Sequence, residues 1–284
     1  MTTQLLVTTD WLAANLNDPK IRIVDIRGHV APPTDPLPHY YNHISDYAQS
    51  HIPGAVFVDW VHEITDPDDS HHAKIAPPER YEAAMRRHGI SDDTLVVAYD
   101  DAQGMFAARL WFTLNYYGHA NVAVLDGGWP KWVLENRAVT AVVPEIAAGQ
   151  FVAHPEPEWI AFIDEVAQIA SHKRTAKLID VRTSAEFNGT VSRAKRKGHI
   201  PGAVNLTRTA LNTPEGSMLP PEKLREIFVQ AGMNESEEAV VYCNAGVSAS
   251  YGLLALRRAG FEKSRVYDGS WKEWGNDDAT QIEP

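Results

Sequence analysis

An internal repeat constrains the fold of this 284-residue chain more than any other feature of the sequence. The six residues His51–Val56 recur unchanged as His199–Val204. They belong to an ordered series of matches in which the separation between copies falls from 155 to 148 to 142 residues. The other matched segments are Ile23–Arg27 with Leu178–Arg182, and Gly104–Trp132 with Gly246–Trp274. A kept order with shrinking separation predicts two domains of one fold, of which the first has the longer loops.

Within each copy, short apolar runs of the kind found in buried parallel strands alternate with longer helical patterns. The clearest predicted strands are Leu95–Tyr99, Val122–Leu125, Ala239–Tyr242 and Ser264–Tyr267, and the clearest predicted helices are Phe106–Tyr117 and Ser248–Arg258. This alternation predicts an α/β fold of two tandem domains, each a mostly parallel sheet flanked by helices. We expect the domains at residues 1–140 and 159–284, joined by a proline-containing linker at residues 141–158.

The single cysteine, Cys243, ends a predicted strand and is followed at once by a predicted helix. Ligands of parallel α/β sheets bind beyond the carboxyl ends of the strands. Gly246 and its small neighbours let the backbone curl, so that several N–H groups can point at one centre beside the positive end of the helix. Such a cradle would stabilise a thiolate and lower the thiol pKa below its ordinary value. The alternative is an inert buried cysteine, which is common in proteins.

The first copy has no cysteine at this place. If Tyr99 is aligned with Tyr242, Asp100 lies opposite Cys243. If Gly104 is aligned with Gly246, Asp101 lies there instead. Because the first copy lacks a thiol nucleophile, we expect only the second copy to be active.

Three motifs together carry a family resemblance: Asp-x-Arg, His-Ile-Pro-Gly-Ala, and Cys-x-x-Gly-Val-x-Ala starting at Cys243. Over essentially its whole length the chain resembles two-domain rhodanese-family sulfurtransferases with an inactive first domain. The resemblance implies that Cys243 is the catalytic nucleophile, which becomes a persulfide and passes its outer sulfur to an acceptor. It implies no metal and no organic cofactor. It also implies that substrate binds to the loop formed by Asn244, Ala245, Gly246, Val247, Ser248 and Ala249.

The resemblance further implies a small anionic sulfur donor, thiosulfate or 3-mercaptopyruvate, and a thiol or cyanide as acceptor, with a thioredoxin-like reductant as a candidate partner. Basic residues that could attract such a donor are Arg182, Arg196 and Lys197. Arg182 has an alternative role as a structural pair, since Arg27 occupies the same place in the inactive copy.

The chain departs from both familiar subtypes of the family. Asn244 and Ala245 follow the cysteine where thiosulfate-type members resembling the animal enzyme have basic residues. Glu186 stands where mercaptopyruvate-type members place an arginine, and Arg193 is only a loose counterpart of their second arginine. We expect thiosulfate as the donor, with possible dual use left open.

Other kinds of cysteine protein fit the sequence less well. Cysteine phosphatases need an arginine six residues after the nucleophile, where Ala249 stands here. A cysteine hydrolase needs a histidine base. The most prominent histidine is present in both copies, as His51 in the first and His199 in the second, and is therefore interpreted as turn-stabilising. A non-catalytic binding protein or a sulfur-relay module of the same fold is the remaining alternative.

Composition narrows the function further. The formal charge of −11 argues against a nucleic-acid partner, whose phosphates need a basic face. No apolar run approaches the length of a membrane span, and the N-terminus lacks a signal-peptide pattern, so a cytoplasmic location is expected. A single cysteine excludes an internal disulfide and a cysteine-based zinc site. The polar stretch around His71 and His72 is interpreted as a solvated loop rather than a metal site.

Overall fold

The structure is a computed structural model that describes residues 4–69 and 74–284. His71 and His72 lie outside the described residues. The chain divides into two compact units. The first contains the described residues up to Pro67, together with Ile75–Glu156 and Pro214–Ser217. The second contains Pro157–Thr213, Met218–Pro284 and the described residues between Asp68 and Lys74.

The first unit is built on a five-stranded sheet in which every neighbouring pair is parallel. Its strands are β1 (Leu6–Val7), β2 (Ile21–Asp25), β5 (Val56–Phe57), β6 (Leu95–Tyr99) and β7 (Val122–Leu125), and a separate antiparallel hairpin is formed by β3 (Gly28–Val30) and β4 (Tyr40–Asn42). The strand order is β1-β7-β6-β2-β5. The helices are α1 (Thr9–Ala14), α2 (Ile44–Gln49), α3 (Pro78–Arg87), α4 (Met105–Tyr116) and α5 (Gly128–Leu134).

The second unit repeats this sheet with the same topology. Its strands are β8 (Ile160–Ala161), β9 (Lys177–Asp180), β10 (Val204–Asn205), β11 (Ala239–Tyr242) and β12 (Ser264–Tyr267), in the parallel order β8-β12-β11-β9-β10. Its helices are α6 (Ile163–Ala170), α7 (Ser184–Phe187), α8 (Pro221–Gln230), α9 (Val247–Arg258) and α10 (Ser270–Trp274), with 3-10 turns at Pro157–Trp159 and Arg208–Leu211. The predicted α/β fold of two tandem, mostly parallel domains is therefore confirmed.

Buried side chains explain why the sequence folds in this way. The middle strands β6 and β11 are covered on both faces, so they read as continuous apolar runs instead of alternating ones. Helices α4 and α9 are buried on nearly every side, because each packs on the sheet directly after its strand. In α9, a Cβ built on Gly252 would lie 2.9 Å from Val241 and 3.0 Å from Val181. The missing side chain lets α9 approach the sheet closely.

The stretch predicted to be a linker, residues 141–158, is mostly attached to the first unit. Its residues up to Glu156 belong to that unit. Its backbone bonds to the preceding elements, for example from the Gly149 amide to the Arg86 carbonyl at 2.8 Å, and Phe151 is buried against Tyr81. An extended segment without helix or strand can thus still be held by backbone hydrogen bonds and one aromatic anchor, which its proline-containing sequence does not reveal.

No helix among residues 4–69 and 74–284 has both the length and the apolar character needed to cross a membrane.

Candidate active site

The Asp-x-Arg motif of the second unit forms a buried ion pair at the carboxyl end of β9. The Arg182 Nε donates to both carboxylate oxygens of Asp180, at 3.1 and 2.9 Å, and its Nη2 lies 2.6 Å from the same carboxylate. The guanidinium also donates to the Gly198 carbonyl at 2.9 Å and lies 4.5 Å above the Trp271 ring. The side chain of Arg182 has no exposed surface.

The first unit contains the same ion pair. Arg27 contacts Asp25 at 2.8 Å and lies 4.4 Å above the ring of Trp129. Because the arrangement is identical in the unit that lacks a cysteine, it serves the fold. These contacts fit the structural alternative that Arg27 suggests, and donor binding by Arg182 stays a prediction.

The repeated histidines stabilise turns, as their occurrence in both copies predicts. The Nδ1 atom of His199 is 3.0 Å from the Phe187 carbonyl oxygen, and the two rings stack at 3.6 Å. The Nδ1 atom of His51 is 2.7 Å from the carbonyl oxygen of Tyr47.

Cys243 lies in the short loop between β11 and α9, with 4% of its surface exposed. The loop turns into the helix at Gly246, whose φ of +72° is unfavourable for residues with a Cβ. The Val247 amide donates to the Ala245 carbonyl at 2.9 Å, which tightens the turn. Of the predicted cradle residues, Asn244 and Ser248 are partly exposed, and Ala245, Gly246, Val247 and Ala249 are buried. The structure thus gathers the whole predicted loop at the carboxyl edge of the sheet.

The first residues of α10 form hydrogen bonds with this loop. The Trp271 amide donates to the Cys243 carbonyl, and the Lys272 amide to the Asn244 carbonyl, both at 3.0 Å. The hydroxyl of Ser270 accepts from the amides of Cys243 at 3.1 Å and Gly246 at 3.2 Å. Both ends of the cysteine loop are therefore anchored on α10.

The corresponding loop of the first unit contains a carboxylate. Asp100 directly follows β6, and its carbonyl accepts from the Trp129 amide at 2.8 Å, as that of Cys243 does from Trp271. Asp100 is thus the counterpart of Cys243. Asp101, the other candidate, instead accepts at 2.7 Å from Nδ1 of His43.

Four backbone amides converge on the Asp100 carboxylate. One oxygen accepts from Ala102 and Gly104 at 2.8 and 2.9 Å, and the other from Phe106 and Ala107 at 2.7 and 2.9 Å. The carboxylate is completely buried. Burial raises the pKa of Asp100, and the hydrogen bonds from the amides oppose that rise. In this fold, the loop before the helix thus points several amides at the side chain that follows the strand.

A carboxylate stands beside the cysteine loop. Oε1 of Glu186 accepts at 2.7 Å from Nδ2 of Asn244, the residue after the cysteine, and lies 3.7 Å from Nε of Arg193. Its other oxygen accepts from the hydroxyl of Thr183 at 2.8 Å. Glu186 therefore ties the start of α7 to the side chain of Asn244.

Lys272, whose backbone amide bonds to the same loop, has a partly buried side chain. Burial, followed by the charge of Arg193, lowers the pKa of Lys272 to about 8. Sequence reasoning missed Lys272 and Ser270. A signal was available for Ser270, because Asp126-Gly127-Gly128-Trp129 repeats as Asp268-Gly269-Ser270-Trp271 with a single change.

Of the basic residues before His199, Arg193 lies near Glu186 beside the cysteine loop, whereas Lys195 and Arg196 bond to other groups. The guanidinium of Arg196 donates to the carbonyls of Trp274 and Thr280, both at 2.8 Å. Lys195 pairs with Asp278 at 2.6 Å, and Lys197 is exposed. The donors of Arg196 thus hold the C-terminal segment. Donor binding by Arg196 and Lys197 stays a prediction.

Comparisons with known proteins agree with this geometry. The family model for the rhodanese-like domain matches twice, at residues 8–135 and 163–277. The chain belongs to the rhodanese family. Each matched range contains four of the five strands of the repeated sheet and the loop after its middle strand. The prediction of a tandem member of this family is confirmed.

Curated relatives span the full length of the chain. The 3-mercaptopyruvate sulfurtransferase of Escherichia coli strain K12 is 34% identical over 100% of this chain and 99% of its own length. A thiosulfate sulfurtransferase of Corynebacterium glutamicum is 32% identical over 95% of this chain and 87% of its own. The sulfur carrier protein TtuD of Thermus thermophilus is 33% identical over 96% and 94%. This rhodanese-family chain is a sulfurtransferase.

The fold matches a solved member as well. The crystal structure of the Escherichia coli 3-mercaptopyruvate enzyme SseA superposes with a TM-score of 0.83 at 33% identity, covering 95% of this chain and 99% of that one. A structure of EanB with ergothioneine covalently linked to a persulfide superposes with a TM-score of 0.83 at 25% identity, covering 98% of this chain and 70% of that one.

Proposed function

We propose that Cys243 is the single catalytic nucleophile of this sulfurtransferase and carries the sulfur in transit as a persulfide. The observation that carries the proposal is the match between the two loops. Where four amides hold a carboxylate in the first unit, the second unit has the only cysteine of the chain. Amides arranged to bind an anion stabilise a thiolate in the same way.

The proposed reaction has two displacements. The Cys243 thiolate attacks the outer sulfur of thiosulfate, and the bond from that sulfur to the sulfonate sulfur breaks, so that sulfite leaves with the electron pair. An acceptor, cyanide or a thiolate, then attacks the outer sulfur of the persulfide and restores the Cys243 thiolate. No net oxidation is needed, and splitting the transfer in two lowers each barrier.

The cradle for the sulfur is formed by the loop from Asn244 to Ala249. The amides of Ser248 and Ala249 occupy the first turn of α9 at the positions that Phe106 and Ala107 hold in α4. Those two amides bind one oxygen of Asp100, and the proposal assigns the corresponding pair to the sulfur of Cys243. The positive end of α9 adds to the same field.

Thiosulfate is the proposed donor. A donor with a carboxylate would be recognised best by an arginine that forms two parallel hydrogen bonds with it. Arg182 and Arg196 are both committed to other groups, and the carboxylate of Glu186 lies beside the loop. The sulfonate of thiosulfate can be bound by amides alone. Thiols, including a thioredoxin-like reductant, are the proposed acceptors besides cyanide.

Intact-mass measurement after exposure to thiosulfate tests the proposal. We expect one added sulfur atom on the wild-type chain, removed by cyanide, and none on Cys243→Ser. An added sulfur on Cys243→Ser would disprove the site. A parallel exposure to 3-mercaptopyruvate tests the donor, which is wrong if kcat/KM is higher for mercaptopyruvate. Stable loading without release to cyanide or thiols would favour a relay protein instead.

A further inference from the structure

Ser270 has an unusual backbone conformation for a buried residue. Its φ is +52°, in the left-handed region that favours glycine, and its side chain is fully buried. The other non-glycine residues with positive φ in the described part of the chain, Gln103, Asn136 and His172, are exposed. The first unit has Gly128 at this position, with a φ of +55°. A glycine would thus fit the backbone of the second unit at less strain.

The hydroxyl of Ser270 is bonded in three directions. It donates to the Tyr267 carbonyl at 2.7 Å and accepts from the amides of Cys243 and Gly246. These bonds link the end of β12 to the residue that carries the sulfur and to the glycine that begins α9.

The comparison with the first unit explains why an acceptor is needed here. The amide of Gly104, the counterpart of Gly246, is satisfied by the carboxylate of Asp100 at 2.9 Å. A cysteine has no such oxygen, and leaving a buried amide without an acceptor is costly. The pair Asp100 and Gly128 in one unit thus corresponds to Cys243 and Ser270 in the other.

A serine in the first unit would have no room. A Cβ built on Gly128 would lie 2.4 Å from the Asp100 carbonyl oxygen. The hydroxyl therefore occurs only where the carboxylate is absent, and the two differences between the loops compensate each other.

We propose that Ser270 is a positioning residue for sulfur transfer, which holds the Cys243 and Gly246 amides so that the first turn of α9 faces the sulfur. This inference rests on the proposed role of Cys243. Without the hydroxyl, the two buried amides would seek other acceptors and the loop would shift. The sulfur would then lose amide contacts, and its thiolate would form only at higher pH.

The alkylation of Cys243 by iodoacetamide as a function of pH tests this inference directly, because the chain has one cysteine and the reagent is uncharged. The variants are Ser270→Gly, which relieves the backbone strain, and Ser270→Ala, which keeps it. We expect the midpoint of alkylation to rise by about one pH unit in both, which corresponds to about a tenfold loss of thiolate below the midpoint. The kcat/KM for thiosulfate should fall by a similar factor and recover at pH values above the new midpoint.

Ser264→Ala is the matched control. Ser264 is equally buried, lies in the same unit, and donates to a backbone carbonyl, that of Phe261, at 2.8 Å. The Ser264→Ala substitution should leave the pH midpoint of Cys243 alkylation unchanged. The inference is overturned if folded Ser270→Gly and Ser270→Ala keep the wild-type midpoint, or if their loss of activity does not recover at high pH. Failure of the wild type to gain sulfur would instead overturn the proposed function, and the alkylation midpoints would still report on Ser270.

Discussion

The loops after β6 and β11 show how one backbone design is used in two ways. In the first unit the loop surrounds the carboxylate of Asp100, which accepts from four amides and is fully buried. In the second, the loop begins at Cys243, which retains 4% exposure. The comparison teaches that the fold provides the same loop before the helix in both units, and that the residue after the strand decides whether a carboxylate or a thiol lies there.

Cys243→Asp is the substitution that breaks the comparison most completely. It gives the second loop the side chain of the first, so we expect sulfur transfer to disappear, with a loss of at least about a thousandfold because the covalent intermediate cannot form. Circular dichroism should show a folded chain. The control is Cys243→Ser, which should be equally inactive. Residual turnover in either variant would mean that another group carries the sulfur.

Asp100→Ala tests the other side of the comparison. It leaves four buried amides without their acceptor, so the free energy of unfolding should fall by about 3 kcal/mol or more in a urea titration. Turnover per folded molecule should stay near the wild-type value. Asp101→Ala is the neighbouring control and should cost less, because Asp101 is partly exposed. A nearly neutral Asp100→Ala would contradict the view that this carboxylate fills the cradle.

Glu186→Gln sharpens the comparison by changing the charge beside the active loop. The glutamine side chain still offers an oxygen to Nδ2 of Asn244. The substitution removes a negative charge that would repel the thiosulfate dianion. We expect KM for thiosulfate to fall about fivefold, as for a charge interaction at about 1 kcal/mol. Glu262→Gln, an exposed glutamate in the same unit, is the control and should leave KM unchanged. An unchanged KM in Glu186→Gln would mean that this carboxylate does not act on the donor.

The smallest expected effect concerns pH and Lys272. Because burial and Arg193 lower the pKa of Lys272 to about 8, its charge is present below that pH and is lost above it. An attraction to the anionic donor should therefore weaken as pH rises through 8, and KM should increase about twofold, as for one partly screened charge. In Lys272→Met this rise in KM should be absent. The same rise in the variant would assign it to another group.

Deprotonation of Lys272 should weaken donor binding but increase the stability of the folded chain. The folded state has the lower pKa, so it holds fewer protons than the unfolded state between pH 8 and the ordinary lysine value of 10.5. The contribution of this residue to the free energy of unfolding should thus increase over that range. Urea titrations of both proteins at pH 7, 9 and 10.5 measure this change: the free energy of unfolding of the wild type minus that of Lys272→Met should rise with pH.

The fold could be predicted from the sequence because the repeat is expressed in local patterns. The strands Leu95–Tyr99 and Ala239–Tyr242 have the predicted bounds, since continuous apolar runs are what a doubly covered parallel strand requires. The position of Cys243 after such a strand follows from the same pattern. The hairpin of β3 and β4 was not foreseen, because a repeat predicts only what both copies share.

The roles of the basic residues could not be predicted, because their partners are distant in the chain. Arg196 bonds to carbonyls about eighty residues away, and no side-chain pattern marks a carbonyl acceptor. Arg182 was better determined, since the same motif in the inactive copy indicated a structural role. The contribution of Ser270 is visible in the sequence only when the differences between the copies, rather than their identities, are compared.

The buried carboxylate of Asp100 has a consequence for the working cycle of the two units. Because this anion is covalently part of the chain, its local concentration is fixed and far above that of any diffusing ion. The four amides of the loop in the first unit are therefore always bonded to the carboxylate of Asp100. Under the proposed mechanism, the second unit must keep its shape while the side chain in its loop alternates between one sulfur atom and two, so only one half of the molecule has to accommodate a group that changes in size.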